Sequence, residues 1–208
     1  MVRVKICGIT NLEDALSSIA AGADALGFIF VEGTPRYVAP RVAAAIIGDL
    51  PPFVTAVGVF WDHAPGHVKV VAEQCRLGAL QFHGDEPPEA LAEHRLPTIK
   101  TIKVAAPEDL ARMEPYAGSV ILLDSAARWS EGEARAPISW QAARDAAARR
   151  PIILSAGLTP DNVGEAVRSV RPYAVDVNSG VEARPGRKDP DKVRRFIDAA
   201  RAADGERS

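Results

Sequence analysis

The chain has 208 residues, 47% apolar and 25% charged, with a formal net charge of -2, which is enough for one substantial core without requiring a second domain. The near-neutral balance and the lack of a Lys/Arg cluster argue against nucleic acid or an anionic membrane as the main partner. No apolar run is long enough to span a bilayer, and the chain enters a strand without a charged and apolar leader, so a cytoplasmic location is expected.

Val2 to Ile6 is a β-branched run that reads as a first strand, stopped at Cys7-Gly8 and followed by Thr10-Asn11 as helix-capping candidates. On an alternating strand Arg3, Lys5 and Cys7 share one face, opposite Val2, Val4 and Ile6. Two cations and a thiol on one side call for acidic partners, and the inside and mouth of a closed barrel can supply them. Further strands are predicted at Ala25 to Phe30, Thr55 to Phe60, Ala79 to Phe82, Thr98 to Val104, Ser119 to Leu123, Ile152 to Ser155 and Ala174 to Val177. Each is short and almost wholly apolar, as a strand covered on both faces must be.

Helical composition fills the intervals: Asn11 to Ala21, Pro40 to Gly48, Pro65 to Arg76, Pro87 to Glu93, Pro107 to Met113, Ser139 to Arg149, Pro160 to Ser169 and Pro190 to Ala202. Several open with proline, whose missing N–H costs nothing in a first turn. Eight strand-helix pairs predict an α/β fold, a single (β/α)8 TIM barrel over residues 1–202, with 203–208 as a frayed polar tail. The alternative is a doubly wound open sheet, but the Gly-rich dinucleotide turn is missing after strand one.

Active sites of such barrels form at the C-terminal ends of the strands, so the residues just past each strand are the candidates. Cys7 ends strand one; Thr34-Pro35-Arg36 follows strand two, His83-Gly84 strand four and Asp124 strand six. A lone cysteine is most often buried and inert, but at a strand tip Cys7 can act as base or nucleophile if cations or amides stabilise its thiolate. Cys75, inside a helix, reads as structural, and two cysteines make a poor disulfide framework. Asp124 is either a turn aspartate or a general acid kept protonated by burial. A base on strand one facing an acid on strand six makes a proton-transfer pair.

Ser155-Ala156-Gly157-Leu158 leads into Thr159-Pro160-Asp161, and Asn178-Ser179-Gly180-Val181-Glu182 can open a short extra helix. Small residues there let backbone N–H groups approach a phosphate. Arg36 suits a carboxylate or an aromatic face, although taken alone it reads as a surface salt bridge. His83 is either a hydrogen-bonding imidazole or a loop histidine, and His63, His67 and His94 receive no role. No spacing suggests a metal site. Strand eight closes against strand one in a barrel, so Lys5 and Asp176 are predicted to pair inside it.

Taken together, Lys-Ile-Cys-Gly-Ile-Thr at 5 to 10, Gly-Phe-Ile-Phe at 27 to 30, Thr-Pro-Arg-Tyr-Val at 34 to 38, Val-Gly-Val-Phe at 57 to 60, Gln-Phe-His-Gly at 81 to 84, Leu-Leu-Asp at 122 to 124, Ala-Gly-Leu at 156 to 158, Val-Asp-Val-Asn-Ser-Gly-Val-Glu at 175 to 182 and Pro-Gly-Arg-Lys-Asp at 185 to 189 resemble the phosphoribosylanthranilate isomerase family, in register along nearly the whole chain. The resemblance implies an isomerase of tryptophan biosynthesis that performs an Amadori rearrangement on a small phosphosugar, with no cofactor and no metal, as a monomer or homodimer. It also implies Asp124 as general acid on the ribose ring oxygen, Cys7 as the base at C2, Arg36 against the anthranilate, and the backbone around Gly157, Ser179 and Gly180 on the phosphate. His83 joins them as a substrate-binding candidate.

Three departures from the family pattern stand out. The usually glycine-rich stretch after Asp124 keeps one glycine between Ser125 and Glu133; Ala156 replaces a glycine; and Asn178 replaces a serine. They bear on loop six and on the phosphate contacts, and none removes a proton-transfer group. The rival readings are another phosphosugar-processing barrel enzyme and a barrel that binds a sugar phosphate without catalysis. A pure binder needs neither Cys7 nor Asp124.

Overall fold

The computed structural model describes residues 1–125, 138–155 and 157–205. Eight parallel strands close into a barrel in chain order: β1 (Arg3–Cys7), β2 (Ala25–Ile29), β3 (Thr55–Phe60), β4 (Ala79–Phe82), β5 (Thr98–Val104), β6 (Val120–Ser125), β7 (Ile152–Leu154) and β8 (Ala174–Val177). The seam is a β1–β8 pairing in which Lys5 stands opposite Asp176. Around the barrel run α1 (Leu12–Ala20), α2 (Pro40–Gly48), α3 (Pro65–Cys75), α4 (Pro88–Ala92), α5 (Trp140–Arg149), α6 (Val163–Val170) and α7 (Pro190–Gly205).

The helix starts follow local chemistry. Proline opens α2, α3 and α4, while Asn11 and Ser139 accept hydrogen bonds from the amides of Asp14 and Ala142 to cap α1 and α5. Helix α6 begins at Val163, later than the proline-led start expected at 160, because Asn162 first ties the turn. Its Oδ1 accepts from the Thr159 amide at 2.8 Å and its Nδ2 donates to the Gly157 carbonyl at 2.9 Å.

Elsewhere the elements depart from the expected ones. Between β5 and β6 the chain forms a 3₁₀ segment, Pro107–Tyr116, where an α-helix was expected. Pro115 offers no N–H inside it, and Asp109 takes the amides of Ala105 and Ala106 at 2.8 and 3.0 Å. Helix α7 runs past the expected Ala202 to Gly205, with Ala203 buried and Asp204 accepting from the Val2 amide at 2.7 Å. A short antiparallel hairpin, β9 (Glu182–Arg184) and β10 (Arg187–Lys188), follows β8 and was not anticipated.

Apolar packing falls into two shells. Val4, Ile6, Leu26, Phe28, Phe82 and Leu123 point outward into the layer shared with the helices, a cluster that also holds Phe196 and Ile197 of α7. Inside, Val57, Ala79, Ile99, Leu122, Ile153 and Ala174 plug the barrel. A second inner cluster of Cys7, Ile29 and Val59 lies nearer the C-terminal strand ends. Such layers make the interior a packed core, so a site must form at the mouth.

Candidate active site

Alternation fixes which side chains face the mouth. Cys7 belongs to the inner cluster with Ile29 and Val59, and Asp124 lies two residues beyond the inward Leu122. Both end at the C-terminal edge of the barrel and both are buried. The thiol of strand one and the carboxyl of strand six therefore open onto one mouth.

Beneath Cys7 the Lys5 ammonium donates to Asp176 Oδ1 at 2.8 Å, as the seam register requires. Ser155 Oγ bonds the other oxygen of Asp176 at 3.3 Å. Burial alone pulls the Lys5 ammonium down, but Asp176 and the Cys7 sulfur outweigh it and hold its pKa at about 12. Gly27 makes room for this group, since a Cβ there would lie 2.7 Å from Cys7 Sγ and 3.1 Å from Lys5 Nζ. Burial pushes the Cys7 thiol above its ordinary value; Lys5 and Lys188 pull against it and Asp176 adds to it. Arg3, two residues before Lys5 on the same face, is exposed at the far end of β1 and pairs with Asp24 at 2.9 Å.

Across the mouth, Asp124 Oδ1 accepts from the Ser125 amide at 2.8 Å, and Asp124 Oδ2 is 3.7 Å from Nε2 of buried His83. His83 lies against the Trp61 ring with centroids 5.3 Å apart, and the Lys103 ammonium sits 4.1 Å from the Trp61 ring centre. Lys103 stands opposite Asp124 in the β5–β6 register. Cys75 is a structural thiol, buried on α3 and bonded to the Pro40 carbonyl at 3.3 Å.

On the β7–β8 side a small recess is lined by Arg36, Gly157, Leu158, Asn178, Ser179 and Gly180. Ser179–Val181 forms a single 3₁₀ turn where a short helix was expected. A Cβ on Gly180 would overlap the Leu158 carbonyl oxygen, so only glycine lets the two loops close on each other. The Arg36 fork is filled: Nε and Nη2 donate to the two oxygens of Glu182 at 2.9 and 2.7 Å. Glu182 also receives the Lys188 ammonium at 3.1 Å and the Gly186 amide at 3.2 Å. Burial works against the carboxylate, but the Arg36 hydrogen bonds and the charges of Lys188 and Arg36 hold its pKa below the ordinary value. The hairpin that carries these groups is pinned to α1, with the Lys188 amide donating to Asp14 at 2.8 Å.

Among the described residues no group of three or more His, Cys, Asp or Glu side chains could hold a metal ion, and no helix is long and apolar enough to cross a membrane. The readings of loop six beyond Ser125 and of Ala156 lie outside the described residues. Sequence reasoning missed Glu182, Lys188, Trp61 and Lys103. The last two answer to the strand-end rule once it is applied to strands three and five: Trp61 directly follows β3, and Lys103 is the last inward residue of β5.

The family model for N-(5'-phosphoribosyl)anthranilate isomerase matches residues 4–199. An N-(5'-phosphoribosyl)anthranilate isomerase of Trichlorobacter lovleyi is 50% identical over 204 residues, covering 98% of this chain and 100% of its own. The crystal structure of the Thermotoga maritima phosphoribosyl anthranilate isomerase superposes with a TM-score of 0.92 at 45% identity, over 97% of this chain and 100% of that one. A phosphoribosyl anthranilate isomerase in complex with reduced 1-(o-carboxyphenylamino)-1-deoxyribulose 5-phosphate gives 0.89 at 44% identity, with the same coverage.

Proposed function

Because the chain belongs to the N-(5'-phosphoribosyl)anthranilate isomerase family, we propose that Cys7 and Asp124 are the base and acid with which it carries out that family's reaction. The protein is an isomerase of tryptophan biosynthesis that rearranges N-(5-phosphoribosyl)anthranilate to the carboxyphenylamino-deoxyribulose phosphate. Asp124 gives its proton to the ribose ring oxygen, the C1–O bond breaks, and the nitrogen lone pair forms the C1=N bond of a protonated Schiff base. Cys7, as thiolate, takes the C2 proton, and the electron pair left at C2 neutralises the iminium to an enolamine. Both groups are restored when C1 gains a proton and the C2 hydroxyl loses one.

The residues divide the remaining work. Lys5 and Lys188 steady the thiolate that burial opposes. Backbone around Gly157, Ser179 and Gly180 takes the phosphate, and Arg36, its fork held by Glu182, presents its guanidinium plane to the anthranilate ring. His83, 3.7 Å from Asp124, contacts the sugar beside the acid. All of these groups come from one barrel, so the chain works as a monomer or as one half of a homodimer on a small-molecule substrate. A base that must stay a free thiol favours the reducing cytoplasm.

The observation that carries this reading is that a buried thiol and a buried carboxyl from strands one and six open onto the same mouth as a glycine-lined recess. Purified protein incubated with phosphoribosylanthranilate tests it: anthranilate fluorescence decays at an enzymatic rate if the reading is right. Binding without decay supports the binding-only barrel instead.

A further inference from the structure

We infer that the buried ion pair of Lys100 and Glu86 positions His83 beside Asp124, a refinement that rests on the isomerase reading above. On β5 Ile99 and Thr101 face the inside of the barrel, so Lys100 points the other way, into the layer under the helices, where it is buried. Its ammonium donates to Glu86 Oε2 at 2.8 Å and to the Gly84 carbonyl at 2.7 Å, with the Tyr116 ring centre 5.3 Å away. Glu86 is buried too, and its other oxygen accepts the amides of Asp62 at 2.8 Å and Gly84 at 3.2 Å. The Tyr116 hydroxyl donates to the Glu86 carbonyl at 2.9 Å.

These bonds join the two loops that leave β3 and β4. Asp62 holds a left-handed backbone at φ 52°, an unfavourable conformation for a residue with a side chain. Two bonds fix it there: its amide donates to Glu86, and its Oδ1 accepts from the Asp85 amide at 2.7 Å. Position 84 requires glycine, because a Cβ would overlap the Asp62 carboxylate. Immediately before these two residues stand Trp61 and His83, with ring centroids 5.3 Å apart, and His83 Nε2 is 3.7 Å from Asp124 Oδ2. Stability alone does not account for the pair, since well-packed apolar side chains of similar volume hold an interior as well or better. Apolar side chains could not, however, bind the two amides and the carbonyl that set the direction in which each loop leaves its strand. Lys100 and Glu86 are therefore positioning residues that act through His83, and the proton transfers remain with Cys7 and Asp124.

The test separates stability from turnover. Urea midpoints, kcat with phosphoribosylanthranilate and calorimetric affinity for reduced 1-(o-carboxyphenylamino)-1-deoxyribulose 5-phosphate are compared across the wild type and four variants. Lys100→Met strands the Glu86 charge and lowers the midpoint, and Glu86→Leu/Lys100→Met restores most of it. That double variant nevertheless loses about ten- to a hundredfold in kcat, the scale of a misplacement of about 1 Å, while binding the analogue within about threefold of the wild type. Glu86→Gln/Lys100→Met, whose amide oxygen still accepts from Asp62 and Gly84, recovers most of the lost kcat. Tyr116→Phe removes one tether without stranding a charge, and loses kcat severalfold at unchanged affinity. Wild-type kcat in Glu86→Leu/Lys100→Met, or kcat and affinity falling together, overturns the inference. Should the double variants not fold, Tyr116→Phe decides, and an unchanged kcat there overturns it. A wild type that leaves phosphoribosylanthranilate unconverted overturns the isomerase reading, and this inference with it.

Discussion

Lys5 and Asp176 meet at 2.8 Å where the first strand closes on the last, with both side chains almost wholly buried. The pair sits directly under Cys7, so it serves the closure of the barrel and the electrostatics of the thiol together. Removing one partner leaves the other charge buried and uncompensated, which costs about 3–5 kcal/mol. Lys5→Met is therefore expected to lower the urea midpoint sharply, and Lys5→Met/Asp176→Leu to recover much of the loss. The pH dependence has a definite sign: a pKa raised to about 12 gives Lys5 stabilisation that is complete below the ordinary lysine value and is lost as pH rises through about 12. Equal midpoints for the single and double variants would show that the pair contributes nothing beyond its volume.

The same neighbours set the thiol. In a Cys75→Ala background, ultraviolet titration should show Cys7 ionising above the ordinary cysteine value, because burial outweighs Lys5 and Lys188. Asp176→Asn removes a group that opposes the thiolate and should bring the titration down; Lys5→Met removes one that favours it and should push the titration up. Shifts in the opposite directions would show that Cys7 does not feel the seam pair.

Glu182 gathers Arg36, Lys188 and the Gly186 amide on one carboxylate. Its depressed pKa gives stabilisation that is present above the ordinary glutamate value and is lost as pH falls through the lower folded value. Glu182→Gln should destabilise the protein by about 2–4 kcal/mol near neutral pH, with a smaller loss in acid, as read by denaturant unfolding at both pH values. A pH-independent difference would mean that its charge is not what holds the hairpin.

Gly180 can touch the Leu158 carbonyl only because it has no side chain. Gly180→Ala should force the two loops apart and raise KM about tenfold or more, with the fold intact by circular dichroism. An unchanged KM would remove the recess from the phosphate site.

Much of this was legible in the sequence because strands buried on both faces are short, apolar and bounded by turns. Thr55–Phe60, Ala79–Phe82, Thr98–Val104 and Ala174–Val177 run as expected. The pairing of Lys5 with Asp176 followed from alternation and from the closure of β8 on β1. The 3₁₀ segment was missed because the composition of 107–113 suits a helix, and Pro115 acts only from its far end. The Arg36–Glu182 bond joins residues 146 positions apart, and no local pattern announces it. Glu182 lies on a hairpin whose Pro185-Gly186 turn was visible, but which barrel residues it reaches depends on where Asp14 and Arg36 pin it.

The division of labour between Cys7 and Asp124 is tested most directly by kcat and ligand affinity for Cys7→Ala and Asp124→Asn, side by side with the wild type. Each is assigned a proton transfer in the transition state, so each variant should lose about 10²–10⁴ in kcat while binding the reduced product analogue within a few-fold of the wild type. Unchanged turnover in Cys7→Ala, or a loss confined to affinity in either variant, would contradict the account.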